Sequence, residues 1–226
     1  MAIFGESGSG KELVARAIHD QSSRKNKRFV AVNCGAIQET LFEREFFGHR
    51  KGAFSGAHAD SPGYLDMADG GTLFLDEVGD LTVNMQAKLL RAIEGGGYRP
   101  VGGMESVSSD FRIIAASNTA LSDKVTKGQM RNDFFYRIQV IQIQLPPLKD
   151  RKEDIPLLVE HFLKKMKRPA EQAMIPGRIM DILMEHDWPG NVRELRNVLQ
   201  RYVTLGHLEF FSSPPESLHS AAPADL

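Results

Sequence analysis

Short apolar runs alternate along the chain with stretches in which apolar residues recur every three or four positions. Ala2-Ile3-Phe4 is an apolar run that stops at Gly5, where a glycine-rich turn begins. Leu13, Val14, Ala17 and Ile18 then recur at helix spacing. Residues 29–33 read as a buried strand, 41–47 as a short helix, and 48–64 as a glycine-containing loop or open hairpin. Thr72-Leu73-Phe74-Leu75 is a further strand that ends in Asp76-Glu77. Met85, Leu89, Leu90 and Ile93 mark a helix that Gly95-Gly96-Gly97 stops. Two more strands are expected over 111–116 and 139–145, ending at Ser117-Asn118 and Pro146-Pro147. Strands alternating with helices predict an α/β fold with a doubly wound parallel sheet.

The pattern changes after Leu148. Ile155, Leu158, Val159, Phe162 and Leu163 form a helical stripe, followed by Ile179, Ile182 and Leu183, then by Val192, Leu195, Leu199, Tyr202 and Val203. The chain is therefore expected to divide into an α/β subdomain over 1–148 and a small all-helical subdomain over 149–211, hinged at Pro146-Pro147. The Ser/Pro/Ala-rich stretch 212–226 reads as a mobile tail. Arg193 to Arg201 is basic and amphipathic, but its apolar positions continue the helical stripe, so packing explains it better than DNA recognition. No separate helix-turn-helix follows it, and no DNA-binding domain is read in this chain.

Composition narrows the class. The chain has 226 residues, and 28 Lys+Arg against 29 Asp+Glu leave a net charge of −1. Its 42% hydrophobic and 25% charged residues are ordinary for a globular protein and argue against disorder or a fibrous repeat. A balanced charge argues against bulk polyanion binding. The single cysteine, Cys34, excludes an internal disulfide and fits a reducing compartment. No apolar run approaches the ~18 residues of a membrane helix, and Met1-Ala2-Ile3-Phe4-Gly5 lacks the flanks of a signal peptide. A cytoplasmic location is the expectation.

Two motifs carry chemistry. Gly5-Glu6-Ser7-Gly8-Ser9-Gly10-Lys11 fits G-x-x-x-x-G-K between a strand and a helix. Glycines let successive backbone N–H groups turn toward phosphate oxygens, the helix adds its positive N-terminus, and Lys11 adds a mobile charge. Position 12 is Glu12 rather than the usual magnesium-touching Ser or Thr. Asp76 and Glu77, at a strand's end, suit the two tasks of phosphoryl transfer: charge neutralisation through Mg²⁺ and orientation of the attacking water. A plain Gly/Ser turn and a plain polar strand end are the bland alternatives, and the pairing of both motifs in one chain weighs against them.

These residues lead to a family. From about residue 2 to 205 the chain resembles the central AAA+ ATPase domain of bacterial enhancer-binding proteins, the activators of sigma-54 RNA polymerase. The likeness rests on the phosphate loop ending in Glu12 and on Phe47-Gly48-His49 leading into Gly52-Ala53-Phe54-Ser55-Gly56-Ala57, which is similar to the family's GAFTGA loop. It rests also on Arg131-Asn132-Asp133-Phe134-Phe135-Tyr136-Arg137, on Leu145-Pro146-Pro147-Leu148, and on Trp188-Pro189-Gly190-Asn191-Val192-Arg193-Glu194-Leu195.

The resemblance implies ATP and Mg²⁺ as ligands, sigma-54 as partner and a homo-oligomeric ring, a hexamer. It implies that Lys11 binds the β and γ phosphates, that Asp76 acts through Mg²⁺ and that Glu77 polarises water. Asn33 would be a switch residue for Glu77, Asn118 sensor I, Arg193 sensor II, and Arg131 and Arg137 fingers reaching a neighbouring subunit. Six residues apart on a regular helix, those two arginines would point about 240° apart, so both can serve one phosphate only if the segment is bent or partly looped. Glycines on both sides of Phe54 suit a mobile loop with an aromatic tip for a partner contact. Ser55 keeps the hydroxyl of the family's usual Thr and loses a methyl. Only four residues precede Gly5, which leaves open an alternative: a non-hydrolysing or truncated sigma-54-binding module.

Overall fold

A computed structural model describes residues 1–166 and 175–208. Five parallel strands form one sheet in the order β2-β3-β4-β1-β5: β1 (Ala2–Phe4), β2 (Phe29–Asn33), β3 (Thr72–Asp76), β4 (Arg112–Ser117) and β5 (Gln142–Gln144). The register sets Ile3 beside Ala116, Asn33 beside Asp76 and Leu73 beside Ile113. Side chains alternate between the two faces of a strand. In β3, Leu73 and Leu75 accordingly enter one core while Phe74 enters another. The first core is closed by α2 (Glu39–Phe47), α3 (Tyr64–Met67), α4 (Val83–Ile93) and α6 (Asn132–Ile138). The second is closed by α1 (Lys11–Asp20) through Val14, Ala15 and Ile18. A sheet covered on both faces explains why its central strands read as apolar runs rather than as alternating patterns.

The expected strand over 139–145 is the clearest correction. Only Gln142–Gln144 pair, because α6 runs on to Ile138 and buries it, Gln139 follows as its C-terminal cap, and Val140 and Ile141 are exposed. The periodicity also missed α5 (Leu121–Thr126) and α6, which are too short to show a stripe. Residues 48–64 do form a hairpin base, where His49 pairs antiparallel with Ser61 and parallel with Val101.

The second subdomain is helical over its described residues, with α7 (Ile155–Lys165), α8 (Gly177–Glu185) and α9 (Asn191–Leu205) around a separate core of Leu148, Ile155, Val159, Leu163, Leu183, Trp188, Leu195, Val198 and Leu199. Val192, Leu195, Val198 and Leu199 are the buried stripe of α9, so the basic stretch from Arg193 is the outer side of a packed helix. The tail 212–226 lies outside the described residues. Among the described residues no helix is long and apolar enough to cross a membrane.

Candidate functional site

The loop between β1 and α1 lies at the carboxyl ends of the strands, where open α/β sheets bind ligands. Gly8 (φ +78°) and Gly10 (φ +105°) hold backbone angles that side chains rarely adopt, which is why glycine stands there. Gly10 leads into α1, whose first residue is Lys11. The buried Lys11 ammonium donates to the carbonyls of Gly5 (3.0 Å) and Glu6 (3.3 Å) and lies 3.7 Å from the Glu77 carboxylate. Ser9 is buried, and its Oγ has no hydrogen-bond partner among the described residues. Glu12 faces outward, 3.6 Å from Arg16 on the surface of α1.

The two carboxylates are separated by a change of backbone, not by strand alternation. Asp76 is the last residue of β3, and Glu77 takes a left-handed conformation (φ 51°, ψ 47°). For a non-glycine residue this costs about 1 kcal/mol or more, a strain that collects at functional sites. The Glu77 amide donates to Asp76 Oδ1 (3.1 Å), and Glu77 Oε2 accepts from the backbone N–H of Asn118 (3.2 Å). Lys11, Glu77 and Asn118 are thus joined across β1, β3 and β4. Asn33 sits on β2 beside Asp76 in the register and is exposed. Cys34, one residue further, is buried. Its thiol is pushed up from its ordinary value first by burial and then by Asp76, Asp80 and Glu77.

The helical subdomain closes over this loop. Arg193 Nη1 donates to Ser7 Oγ (3.1 Å), and the Arg193 amide to the Gly8 carbonyl (3.3 Å). A cleft between the two parts is bounded by Lys11, Asp76 and Glu77 on one side and by His161, Arg193 and Arg196 on the other. A Cβ on Gly8 would come within 2.4 Å of the Gly190 carbonyl, so the close approach requires glycine. Sequence reasoning missed two residues here. Asn191 (φ 54°) donates to Glu6 Oε2 and to the Ser7 carbonyl, and Arg151 Nη2 donates to the Ser9 carbonyl. An Asn just after Pro-Gly was the available signal, since Asn accepts left-handed backbone.

Neither Arg131 nor Arg137 lines the cleft that holds Lys11, Asp76 and Glu77. Arg131 precedes α6 in extended backbone, so the pair is not on one regular helix. Its guanidinium grips Asp133 through two bonds (3.0 and 2.7 Å), which draws the Asp133 carboxyl below its ordinary value. The fully buried Gln86 of α4 accepts from the Arg131 amide and donates to the Leu81 and Gln129 carbonyls, fixing that segment. Arg137 Nη2 donates to the Ile93 carbonyl (3.1 Å).

The loop Gly52–Ala57 is a tight turn closed by Gly52 N–H to Ala57 O (2.8 Å) and Ala57 N–H to Phe54 O (3.0 Å). Gly52 (φ +82°) and Gly56 (φ +102°) flank it. Phe54 is 37% exposed, with its ring 4.9 Å from that of His49 and beneath the Arg44 guanidinium at 5.6 Å. The expected mobile aromatic tip is thus half-packed. Ala53 abuts Gly102, where a Cβ would come within 2.7 Å. Asp60 ties the base, accepting from the Lys51 amide (2.8 Å) and from Arg50 (2.7 Å).

A parallel sheet in this strand order, a phosphate loop, an acidic strand end and a helical lid define the AAA+ class of P-loop ATPases. Residues 1–144 match the Sigma-54 interaction domain and residues 149–212 the AAA+ ATPase lid domain, and the chain belongs to the Sigma-54 interaction domain family. Among its relatives it is 49% identical over 207 residues to the Nif-specific regulatory protein of Herbaspirillum seropedicae, covering 91% of this chain and 38% of that protein. It is 51% identical over 205 residues to the response regulator protein PilR of Pseudomonas aeruginosa, covering 90% and 46%. The chain therefore spans less than half the length of these relatives. NtrX from Brucella abortus, solved in complex with ADP, superposes with a TM-score of 0.80 at 42% identity, covering 90% of this chain and 46% of NtrX. The Hsp104–ADP complex of S. cerevisiae, at 18% identity and a TM-score of 0.64, shares the fold alone.

Proposed function

We propose that this chain is the ATP-hydrolysing core of a sigma-54-dependent transcriptional activator, with an α/β subdomain over 1–148 and a lid over 149–211. The observation that carries the reading is the convergence of Lys11, Glu77 and Asn118 beside a glycine loop whose far side Arg193 caps. The buried Ser9 Oγ and the left-handed glycines of the loop, Gly8 and Gly10, fit a phosphate group. Mg²⁺ binds through one or two carboxylates together with substrate phosphates and waters, and Asp76 is the carboxylate for it. The ion supplies neutralisation of phosphate charge when bound.

The chain's own residues do the remaining work. Lys11 exchanges its carbonyl partners for β and γ phosphate oxygens. Glu77, freed from that ammonium, orients and polarises the attacking water, while Asn118 sets its position and Asn33 restrains it in other nucleotide states. Arg193 reports the nucleotide to the lid. Arg131 and Arg137, which do not line the cleft of Lys11, Asp76 and Glu77, suit a role in the site of a neighbouring subunit in a homo-oligomeric ring, a hexamer. The Gly52–Ala57 turn presents Phe54 and Ser55 to sigma-54, so that hydrolysis remodels the closed promoter complex.

ATP hydrolysis measured against protein concentration tests this reading. Activity should rise more than linearly, because the site is completed in trans. Lys11→Ala and Glu77→Ala should each lower turnover by about 100-fold or more. Undiminished turnover in either variant would falsify the assignment. No turnover at any concentration, with sigma-54 binding retained, would favour the non-hydrolysing module.

A further inference from the structure

Three consecutive carbonyls of the phosphate loop accept hydrogen bonds from the helical side of the molecule. Ser7 O takes the Asn191 side-chain amide (3.2 Å), Gly8 O the Arg193 backbone amide (3.3 Å) and Ser9 O the Arg151 guanidinium (2.8 Å). The carbonyl and the N–H of one trans peptide point opposite ways. Bonds that fix these carbonyls toward the lid therefore turn the N–H groups of Gly8 and Gly10 away from it, the orientation an anion cradle needs, while the Ser9 N–H turns back to the Glu6 carbonyl (3.3 Å).

Asn191 does more than one task. Its side chain is fully buried, accepts from the Leu148 amide at the start of the lid (2.8 Å), and donates to Glu6 Oε2 (2.9 Å) as well as to Ser7 O. One side-chain amide thus joins the phosphate loop, the inter-domain linker and the first turn of α9. Glu6 is otherwise a poor choice for a phosphate loop, since a carboxylate there repels the ligand. The bond to Asn191 accounts for it, because the charge is drawn toward the lid.

We propose that Asn191 and Glu6 form a latch through which the lid sets the orientation of the phosphate loop, both being positioning residues. The consequence for nucleotide rests on the ATPase reading; the latch itself does not. Asn191→Asp is the discriminating change, because Asp also accepts left-handed backbone and keeps the acceptor for Leu148, but it sets a like charge against Glu6 and removes the donor to Ser7 O. In the whole chain, ADP affinity should fall by about tenfold. The double variant Glu6→Gln/Asn191→Asp reverses the direction of the bond, with the introduced amide donating to the introduced carboxylate. It should recover about threefold of that loss, the Ser7 bond staying lost, a coupling that independent structural damage does not produce. Glu6→Ala tests the latch without touching Asn191: amide exchange at Leu148 and Arg193 should quicken by about tenfold. A double variant no better than Asn191→Asp, or unchanged exchange in Glu6→Ala, overturns the proposal. If the unaltered chain fails to bind ADP, the nucleotide reading falls, and the exchange result alone decides the latch.

Discussion

Cys34 stands one residue beyond Asn33, buried at 2% exposure among carboxylates. Burial first, and then Asp76, Asp80 and Glu77, raise its thiol well above the ordinary value. A thiol raised in the folded state stabilises the fold below its unfolded pKa of about 8.5, and the benefit is lost as pH rises beyond it, by about 1.4 kcal/mol per pH unit. Stability measured by urea unfolding at pH 8 and pH 10 should therefore drop more in this chain than in Cys34→Ala. For the same reason iodoacetamide at pH 8 should label Cys34 only after denaturation, since the thiolate is the nucleophile. At this scale the sequence pointed to candidates wherever residue type dictates chemistry: Lys11, Asp76 and Glu77 were singled out by type and order, and the structure brings Lys11 within 3.7 Å of Glu77. It was silent on Asn191, Arg151 and Gln86, because their roles depend on segments more than forty residues away meeting in space.

Among the elements, the hairpin over residues 48–64 illustrates why a loop can be ordered without a helix or strand of its own. Asp60 accepts from the Lys51 amide and from Arg50, and these bonds, the backbone one first, draw its carboxyl below the ordinary value. A depressed carboxyl contributes above its unfolded pKa of about 4 and ceases to contribute as pH falls through the lower folded value. The clamp at the loop base should therefore loosen only in strong acid. Asp60→Asn should loosen it at neutral pH, seen as faster exchange at the Lys51 amide with the exchange of β3 unchanged. Periodicity revealed the longer elements here, α1, α4, α7 and α9, because each buries a continuous stripe. It failed at β5 and α6, where three and seven residues are too few for a period to emerge and where burial of Ile138 decides the boundary.

The whole molecule has separate apolar cores in its two parts, and the parts meet through polar contacts: Asn191 to Glu6, Arg193 to Gly8, Arg151 to Ser9. The parallel α/β sheet and the change to a helical pattern after Leu148 were legible because the period of the apolar positions changes there, whereas the order of the strands was not. The meeting of the parts was not, since no sequence pattern marks a carbonyl as an acceptor. Two parts with separate cores could melt separately, the smaller lid first. Here the outermost bonds of one part are the supports of the other, so losing the lid strips the loop that ends β1. Leu195→Ala, emptying a fully buried lid position at a cost of about 2–5 kcal/mol, should then shift one heat-absorption peak for the entire chain and open no earlier shoulder. A calorimeter would count one cooperative unit where the two parts keep their apolar packing apart, because a handful of peptide groups at the seam belong to both.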